Sequence, residues 1–136
     1  MAPSDPTPQL VAINPYFLVG DVHATAEYYR DVLGFGFDQF WGDPPAFVMV
    51  KRDGIQIMLR QPARDDAAPA GANRSRVAHS LDAYVYVRDI DALYTEFRAS
   101  GAKLLCEPSD QPHDCREFEL EDLNGYVICF GQDLLA

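Results

Sequence analysis

The chain carries the same pattern of predicted elements twice. Val19-Gly20-Asp21-Val22 matches Val87-Arg88-Asp89-Ile90, which lies 68 positions later, and Gly34 matches Gly101, 67 positions later. In each copy an apolar stretch precedes the motif and an amphipathic stretch follows it, which predicts a strand and then a helix. Asp21 is a suitable N-cap and each glycine a suitable helix end. A repeat of this length in 136 residues restricts the fold to two similar modules.

Three more strand-like runs follow each helix, so the order of elements is βαβββ, twice. The first module has a predicted strand over 10–19, a helix over 23–33, and strands over 36–41, 46–51 and 55–60. The second has a predicted strand over 83–87, a helix that ends at Gly101, and strands over 103–107, 116–121 and 126–130. Asp53-Gly54 and Asn124-Gly125 supply the hairpin turns before the last strands. The pattern predicts an α+β fold.

The remaining segments set the domain organisation. Residues 1–9 contain three prolines and are predicted to be a flexible leader. Residues 62–80 are rich in Ala, Pro, Asp and Arg without periodicity, which predicts a linker loop. The modules then span residues 10–61 and 81–136. A chain of this length forms one domain, or two small halves that share a core.

Charge and composition exclude some partners. The formal net charge of −10 argues against nucleic acid, which selects basic surfaces. The same charge fits either plain solubility or attraction of a cationic ligand. No apolar run approaches the ~20 residues that a membrane span needs. The three cysteines lack CxxC spacing, which favours a reduced, cytoplasmic protein.

Strand periodicity separates two faces, because alternate side chains of a strand point to opposite sides. One face is apolar and should carry the helices: Phe17, Val19, Ile57, Leu59, Val85, Val87, Ile128 and Phe130. The other face holds Asn14, Tyr16, Leu18, Gln56, Met58, Arg60, Asp82, Tyr84, Tyr86, Glu117, Glu119, Val127 and Cys129. This second face is either an ordinary solvent-exposed side of the sheet or a binding surface. Its tyrosines and aliphatic side chains favour binding.

The doubled βαβββ order resembles the vicinal oxygen chelate superfamily, which includes glyoxalase I, extradiol dioxygenases, fosfomycin-resistance enzymes and bleomycin-resistance proteins. The resemblance rests on residues 84–97 (YVYVRDIDALYTEF), 111–118 (QPHDCREF), 122–125 (DLNG) and 28–35 (YYRDVLGF). It covers residues 11–131, and the second half is most similar to the bleomycin-resistance branch. It implies that the two modules form a curved mixed β-sheet cup with the helices outside.

The resemblance also places the four metal-ligand positions of the family's enzymes, at Asn14, Met58, Asp82 and Cys129. Only Asp82 is a usual hard ligand, and Cys129 would suit only a softer metal. A methionine cannot replace a carboxylate in a site that activates oxygen or polarises a carbonyl. A local set of His113, Cys115 and Glu119 matches no standard metal spacing. The sequence therefore predicts no metal, no cofactor and no catalytic residue.

The leading hypothesis is a small-molecule-binding protein, which resembles bleomycin-resistance proteins and sequesters a cationic or aromatic antibiotic-like ligand without a metal. The resemblance implies a homodimer whose clefts are shared by two subunits. Aromatic side chains would stack on planar rings and carboxylates would pair with a cation. The predicted ligand-binding residues are Tyr16, Phe40, Trp41, Phe47, Met58, Asp82, Tyr84, Tyr86, His113, Glu117, Glu119 and Cys129.

Other interpretations remain open from the sequence. Phe40 and Phe47 fit a role in the core equally well, and Trp41 fits a cleft rim or a subunit interface. A metal-dependent lyase, isomerase or dioxygenase with an atypical ligand set is the alternative function. A third is an accessory protein that uses the second face to bind a partner.

Overall fold

A computed structural model describes residues 7–63 and 71–136 of the chain. The first module contains β1 (Tyr16–Leu18), α1 (Val22–Asp31), β2 (Phe40–Trp41), β3 (Phe47–Arg52) and β4 (Ile55–Arg60). A 3-10 turn (Asn73–Ser75) precedes the second module. That module contains β5 (Ala83–Tyr86), α2 (Ile90–Ser100), β6 (Lys103–Leu104), β7 (Ser109–Asp110), β8 (Cys115–Glu121) and β9 (Val127–Asp133). The predicted α+β class is confirmed.

The strands form two mixed sheets. One has the order β1-β4-β3-β2, and the other β5-β9-β8-β6, with β7 also paired to β8. In each module the first strand pairs in parallel with the last, so that Tyr16 lies opposite Met58 and Tyr84 lies opposite Cys129. The sequence predicted one sheet through both modules. Within the described residues β1 and β5 pair only with the last strand of their own module, and no ladder joins the sheets.

Both helices begin at the predicted N-caps and α2 ends at the predicted Gly101, but α1 ends at Asp31, two residues before the predicted end at Leu33. The side chain of Asp21 accepts a hydrogen bond from the backbone N–H of Ala24 at 3.0 Å. Asp89 accepts one from Ala92 at 3.1 Å. These bonds satisfy N–H groups that the first helical turn leaves without a partner. Gly101 ends α2 with φ 86°, a left-handed conformation that glycine adopts without a Cβ penalty.

Several predicted strands are shorter in the structure. The strand expected over 10–19 is reduced to β1, and residues 10–13 have no ladder partner in the described part of the chain. The strand expected over 36–41 pairs only at β2, apart from one bridge between Gly36 and Lys51. The strand expected over 103–107 ends at Leu104, and β7 pairs with β8 further along. In contrast, β9 extends to Asp133. The predicted leader and linker lie partly outside the described residues.

One apolar core serves both modules. The helix-bearing side of each module meets the other module, and the Phe17 and Tyr126 rings stack across this contact at 4.3 Å. Two polar contacts at repeat-related places add to it. Tyr29 of α1 donates to Asp122 Oδ2 at 2.7 Å, and Arg52 of β3 binds both carboxylate oxygens of Glu96 on α2, at 2.6 and 2.9 Å. The modules therefore fold against each other through their helix sides.

This packing leaves the opposite face of each sheet uncovered by helices. No helix among the described residues is long and apolar enough to cross a membrane.

The Tyr29–Asp122 bond gives a test of the inter-module contact. Tyr29 is fully buried, and its hydroxyl is the partner of Asp122 Oδ2, since the backbone N–H groups of Asn124 and Tyr126 bind Oδ1. Tyr29→Phe leaves a buried carboxylate oxygen without its donor, which should lower the free energy of unfolding by about 1–3 kcal/mol. Urea denaturation measures the loss.

The neighbouring Tyr28→Phe variant is the matched control. The hydrogen bond from the Tyr28 hydroxyl to the carbonyl of Glu121 is long, 3.4 Å. Its removal should change stability by about 0.5 kcal/mol or less. Equal losses in the two variants would contradict a specific role for the Tyr29–Asp122 bond.

Candidate functional site

The second sheet presents tyrosines and glutamates on the side away from the helices. Strand register places Tyr84, Cys129 and Glu119 in one row across β5, β9 and β8. The next row consists of Tyr86, Gly131 and Glu117. Together with Cys115, which has the same parity on β8, these side chains form what we call the tyrosine–glutamate face: Tyr84, Tyr86, Cys115, Glu117, Glu119 and Cys129.

Glu117 is the polar centre of this face. The Tyr84 hydroxyl donates to Glu117 Oε2 at 2.6 Å, and His113 Nε2 lies 2.8 Å from the same oxygen. Tyr84 crosses from its own row to the next to make this bond, and its ring lies over Gly131. A Cβ built at position 131 would overlap the Tyr84 hydroxyl. Glycine at this position therefore allows the tyrosine to reach the carboxylate.

Glu117 stays ionised more readily than an ordinary glutamate. Burial acts to raise the pKa of Glu117, but the hydrogen bonds from Tyr84 and His113 act in the other direction and prevail, so the pKa is lowered. Conversely, burial and the bond to Glu117 raise the pKa of Tyr84. Tyr84 is therefore a neutral hydrogen-bond donor to a carboxylate anion.

Glu119 lies two residues further along the strand and behaves differently. Burial and the nearby charge of Glu117 raise its pKa, with partial compensation from His79. No side-chain hydrogen bond to Glu119 is present in the described part of the chain. Its carboxylate is therefore the less satisfied of the two, and it is available to a ligand.

The buried Cys129 is paired with Glu119 across the sheet, and its thiol is also close to Glu117. Burial, followed by the charges of Glu117 and Glu119, raises the pKa of Cys129 to about 12. The thiol is thus protonated at neutral pH, and a nucleophilic or metal-binding thiolate is unfavourable there. Cys129 contributes to the floor of the face and is not an activated nucleophile.

The first sheet presents an aromatic surface on the equivalent side. The rows are Tyr16, Met58 and Met49, and then Leu18, Arg60, Phe47 and Trp41. The Phe47 ring lies 6.1 Å from Tyr16 and 5.8 Å from Trp41, between centroids. Trp41 and Tyr16 are 41% and 50% exposed, so these rings are accessible. We call Tyr16, Trp41 and Phe47 the aromatic patch.

Two predicted ligand-binding residues have other partners. Phe40 pairs with the buried Val48 and its ring stacks on His23 of α1 at 4.1 Å, so it lies on the helix side. The two carboxylate oxygens of Asp82 accept hydrogen bonds from the backbone N–H groups of Asn73 and Val127, both at 2.8 Å. Asp82 thus anchors the loop before β5. The sequence did not predict these two hydrogen bonds, because strand periodicity does not show which backbone N–H groups lack an acceptor.

Arg116 precedes Glu117 on β8 and lies on the helix side. Its guanidinium binds Asp91 and Asp110, both at 3.0 Å. It therefore does not neutralise Glu117 or Glu119.

The four family metal positions do not form a metal site here. Asp82 is already bound by two backbone N–H groups, and Cys129 is a high-pKa thiol. Met58 and Asn14 add no anionic ligand. The residues present do not fit the hard divalent ion of the family's enzymes.

A different group of possible metal ligands lies at the edge of the tyrosine–glutamate face. Donor atoms of His113, Cys115 and Glu117 all lie within 4.8 Å of one another. The sequence analysis grouped the first two with Glu119. The turn at Asp114, with φ 61°, folds His113 back onto Glu117 instead. Strand alternation predicts that Glu117 and Glu119 share one face, but it does not determine which of the two contacts His113 in the preceding turn.

Comparison with known proteins agrees with the fold. A family model described as the Glyoxalase/Bleomycin resistance protein/Dioxygenase superfamily matches residues 10–130. A search of curated proteins gives no match.

Solved structures of similar fold include a glyoxalase/bleomycin resistance protein/dioxygenase from Nocardioides, at 19% identity and TM-score 0.67, covering 96% of this chain and 87% of that chain. A member of the same superfamily from Sphaerobacter thermophilus DSM 20745 is 22% identical with TM-score 0.66, covering 90% and 98%. Lactoylglutathione lyase from Agrobacterium tumefaciens is 20% identical with TM-score 0.67, covering 95% and 98%. At these identities the likeness establishes the fold.

The contact between Tyr84 and Gly131 yields a prediction. In Gly131→Ala the new methyl group displaces Tyr84, so the bond to Glu117 is lost and the pKa of Glu117 rises toward its ordinary value. Carboxyl carbon NMR titration measures that pKa. Stability should fall by about 1–3 kcal/mol from the clash and the lost bond.

Gly36→Ala is the matched control, because a Cβ at position 36 meets nothing within 4 Å. That variant should leave the titration of Glu117 unchanged. An unaltered Glu117 pKa in Gly131→Ala would show that Tyr84 does not hold the carboxylate in its ionised form.

Proposed function

The chain belongs to the Glyoxalase/Bleomycin resistance protein/Dioxygenase superfamily, and we propose that it is a small-molecule-binding member that sequesters a cationic or neutral aromatic ligand without a metal. The observation that carries this proposal is the pair of glutamates beside two adjacent tyrosine rings. Glu117 is held ionised by Tyr84 and His113, Glu119 is unsatisfied, and the Tyr84 and Tyr86 rings lie 4.9 Å apart. Such a surface offers both charge and planar contact area.

The electrostatics support a cationic ligand. The raised pKa of Glu119 reflects burial and repulsion from Glu117. A ligand cation between the two carboxylates relieves that repulsion, so binding favours the ionised form of Glu119. The formal net charge of −10 assists the approach of a cation from solution. Three free cysteines agree with a reducing, cytoplasmic location, which forms part of the proposal.

The aromatic patch supports a second part of the proposal, a homodimer. It lies on a different sheet from the tyrosine–glutamate face, and both sheets end in an edge strand, β1 or β5. Pairing of two copies would cover these edges and the exposed rings. The bleomycin-resistance proteins that the chain resembles share each cleft between two subunits. We propose the same arrangement here, in which the aromatic patch of one copy faces the glutamates of the other.

Sedimentation equilibrium at micromolar concentration tests the dimer. We expect a species of twice the chain mass of 15.2 kDa. A single monomeric species across the accessible concentration range would contradict the shared cleft.

Ligand binding is tested by calorimetry with bleomycin and with further cationic aromatic antibiotics chosen by a thermal-shift screen, in which a ligand bound only by the native state raises stability. Trp41→Ala removes a stacking ring, and Glu119→Gln removes the unsatisfied charge. Each should weaken binding by about 1–3 kcal/mol with the fold intact. Trp41→Phe, which keeps a ring, should lose less.

Glu107→Gln is the matched control for charge, since Glu107 is exposed and lies outside the tyrosine–glutamate face. It should bind as the wild type does. If Glu107→Gln and Glu119→Gln lost equal amounts of ligand affinity, the change in net charge would account for the loss. That result would contradict a specific site at Glu119. Treatment with a chelator should leave affinity unchanged.

The alternative function, a metal-dependent lyase, isomerase or dioxygenase, is favoured by one observation, the group of His113, Cys115 and Glu117. Imidazole, thiolate and carboxylate together suit zinc. Stoichiometric metal in protein purified without chelator, lost in Cys115→Ser and kept in Cys106→Ser, would support this alternative. If chelation also abolished catalytic turnover, the metal-dependent enzyme would replace the binding protein as the proposed function. Cys106 is a suitable control because it is an exposed free thiol outside the group.

A further inference from the structure

The internal repeat relates two halves of the contact between the modules. The registers of Tyr16 with Met58 and of Tyr84 with Cys129 align the two modules residue by residue. Phe17 of the first module then corresponds to Val85 of the second. By the same registers, Ile55 at the start of β4 corresponds to Tyr126 just before β9. The two halves of the contact can thus be compared at equivalent positions.

One half is filled by aromatic side chains. Phe17 and Tyr126 stack with an angle of 9° between their ring planes, and both are buried. The Tyr126 hydroxyl also donates to the carbonyl of Leu18 at 2.6 Å. Asn124, in the turn before Tyr126, accepts from the backbone N–H of Gly20 at 3.1 Å. This half is closed by rings and hydrogen bonds.

The other half is open. Val85 and Ile55 stand where the aromatic pair would be, and both line a cavity of about 630 Å³. Its apolar wall consists of Phe35, Ile55, Val85, Val87, Leu93, Phe97 and Phe130. The smaller side chains contribute to the cavity, because two aliphatic groups do not fill the volume that two stacked rings occupy. Wall atoms that face a void lose contacts that a filled core would supply.

We infer that this inter-module cavity is a second ligand site, which accepts a neutral apolar small molecule. Ligand sites commonly have volumes of about 300–1,000 Å³ and mostly apolar walls with a few polar groups. Both criteria are met here. The site lies outside the tyrosine–glutamate face and goes beyond the function proposed above.

The charges at the mouth favour a neutral ligand. They have both signs: Arg52, Asp53, Arg88, Asp89 and Glu96. Arg52 is occupied by Glu96 and by the carbonyl of Leu33 at 2.8 Å, and the Asp89 side chain caps α2. Arg52, Glu96 and Asp89 therefore have partners already, and a charged ligand would gain little from them.

The cavity and the tyrosine–glutamate face lie on opposite sides of β5. Val85 and Val87 point into the core side and line the cavity, whereas Tyr84 bonds to Glu117 on the other side. Variants can therefore alter one site and leave the other intact. Tyr86 is excluded from such tests because it lines the cavity and also belongs to the face.

The test uses N-phenyl-1-naphthylamine, a neutral apolar probe whose fluorescence rises in an apolar environment. Wild-type protein should bind it saturably. Ile55→Tyr with Val85→Phe rebuilds at this half the aromatic pair of the other half, which narrows the cavity and obstructs its apolar wall. We expect affinity for the probe to fall about tenfold or more. The melting temperature of this double variant should equal or exceed that of the wild type, because the added ring atoms restore packing contacts along the cavity wall.

Leu123→Ala is the control. It shortens an exposed apolar side chain that belongs neither to the cavity lining nor to the aromatic patch or the tyrosine–glutamate face. The affinity of this variant for the probe should stay within about twofold of the wild type. Unchanged probe binding in the double variant, loss of binding in Leu123→Ala, or no saturable binding to the wild type would each overturn the inference.

A second measurement does not depend on the double variant folding. In wild-type protein with bound probe, methyl NMR should show nuclear Overhauser contacts from the probe to Val85, Val87 and Leu93. Contacts to the methyl groups of Met49 and Met58, on the opposite side of the first sheet, should be absent. The reverse pattern would assign the probe to the exposed sheet surface and overturn the inference.

Discussion

The parallel pairing of the first and last strands in each module is the constraint on which the other features depend. It sets Tyr16 opposite Met58 and Tyr84 opposite Cys129, so every other side chain of these strands is assigned to the helix side or the open side. A parallel pair needs a crossover between its strands. The helix and the strands after it supply that crossover, and the helix covers one side of the sheet. The uncovered side consequently carries the exposed rings of the first module and the tyrosines and glutamates of the second.

Much of this arrangement could be predicted from the sequence because it depends on periodicity. Alternation assigned Tyr84, Glu117 and Glu119 to one face, and the ladders place them there. The contacts of Asp82 and Phe40 could not be predicted from periodicity. Asp82 satisfies two backbone N–H groups, and Phe40 packs on His23, contacts that require the loop and the helix in three dimensions. The role of Gly131 could not be predicted either, since it depends on the position of the Tyr84 ring, which lies where a Cβ at residue 131 would be.

Glu117 and Glu119 show how one strand can hold two carboxylates in different states. They are two residues apart and share a face, yet the pKa of one is lowered and that of the other is raised. The difference arises from hydrogen bonding, because Tyr84 and His113 donate to Glu117 and no described residue donates to Glu119. Glu117 is thus a fixed part of the protein's own network. The Glu119 carboxylate has no hydrogen-bond donor among the described residues, so a ligand cation can pair with it. In the proposed function, this ion pair supplies the binding energy.

The internal repeat gives both modules one backbone plan, but side-chain volume and charge make the modules different. On the open side, Phe47 in the first module occupies the position of Glu117 in the second, and Met49 that of Glu119, as the strand registers show. One sheet therefore offers rings and the other offers carboxylates. On the helix side, Phe17 and Tyr126 close one half of the inter-module contact, while Val85 and Ile55 leave the other open. An exact repeat would give two equal halves with the same chemistry. Divergence at these few positions supplies a surface of mixed character and a cavity without any change in topology, because neither requires a different strand register.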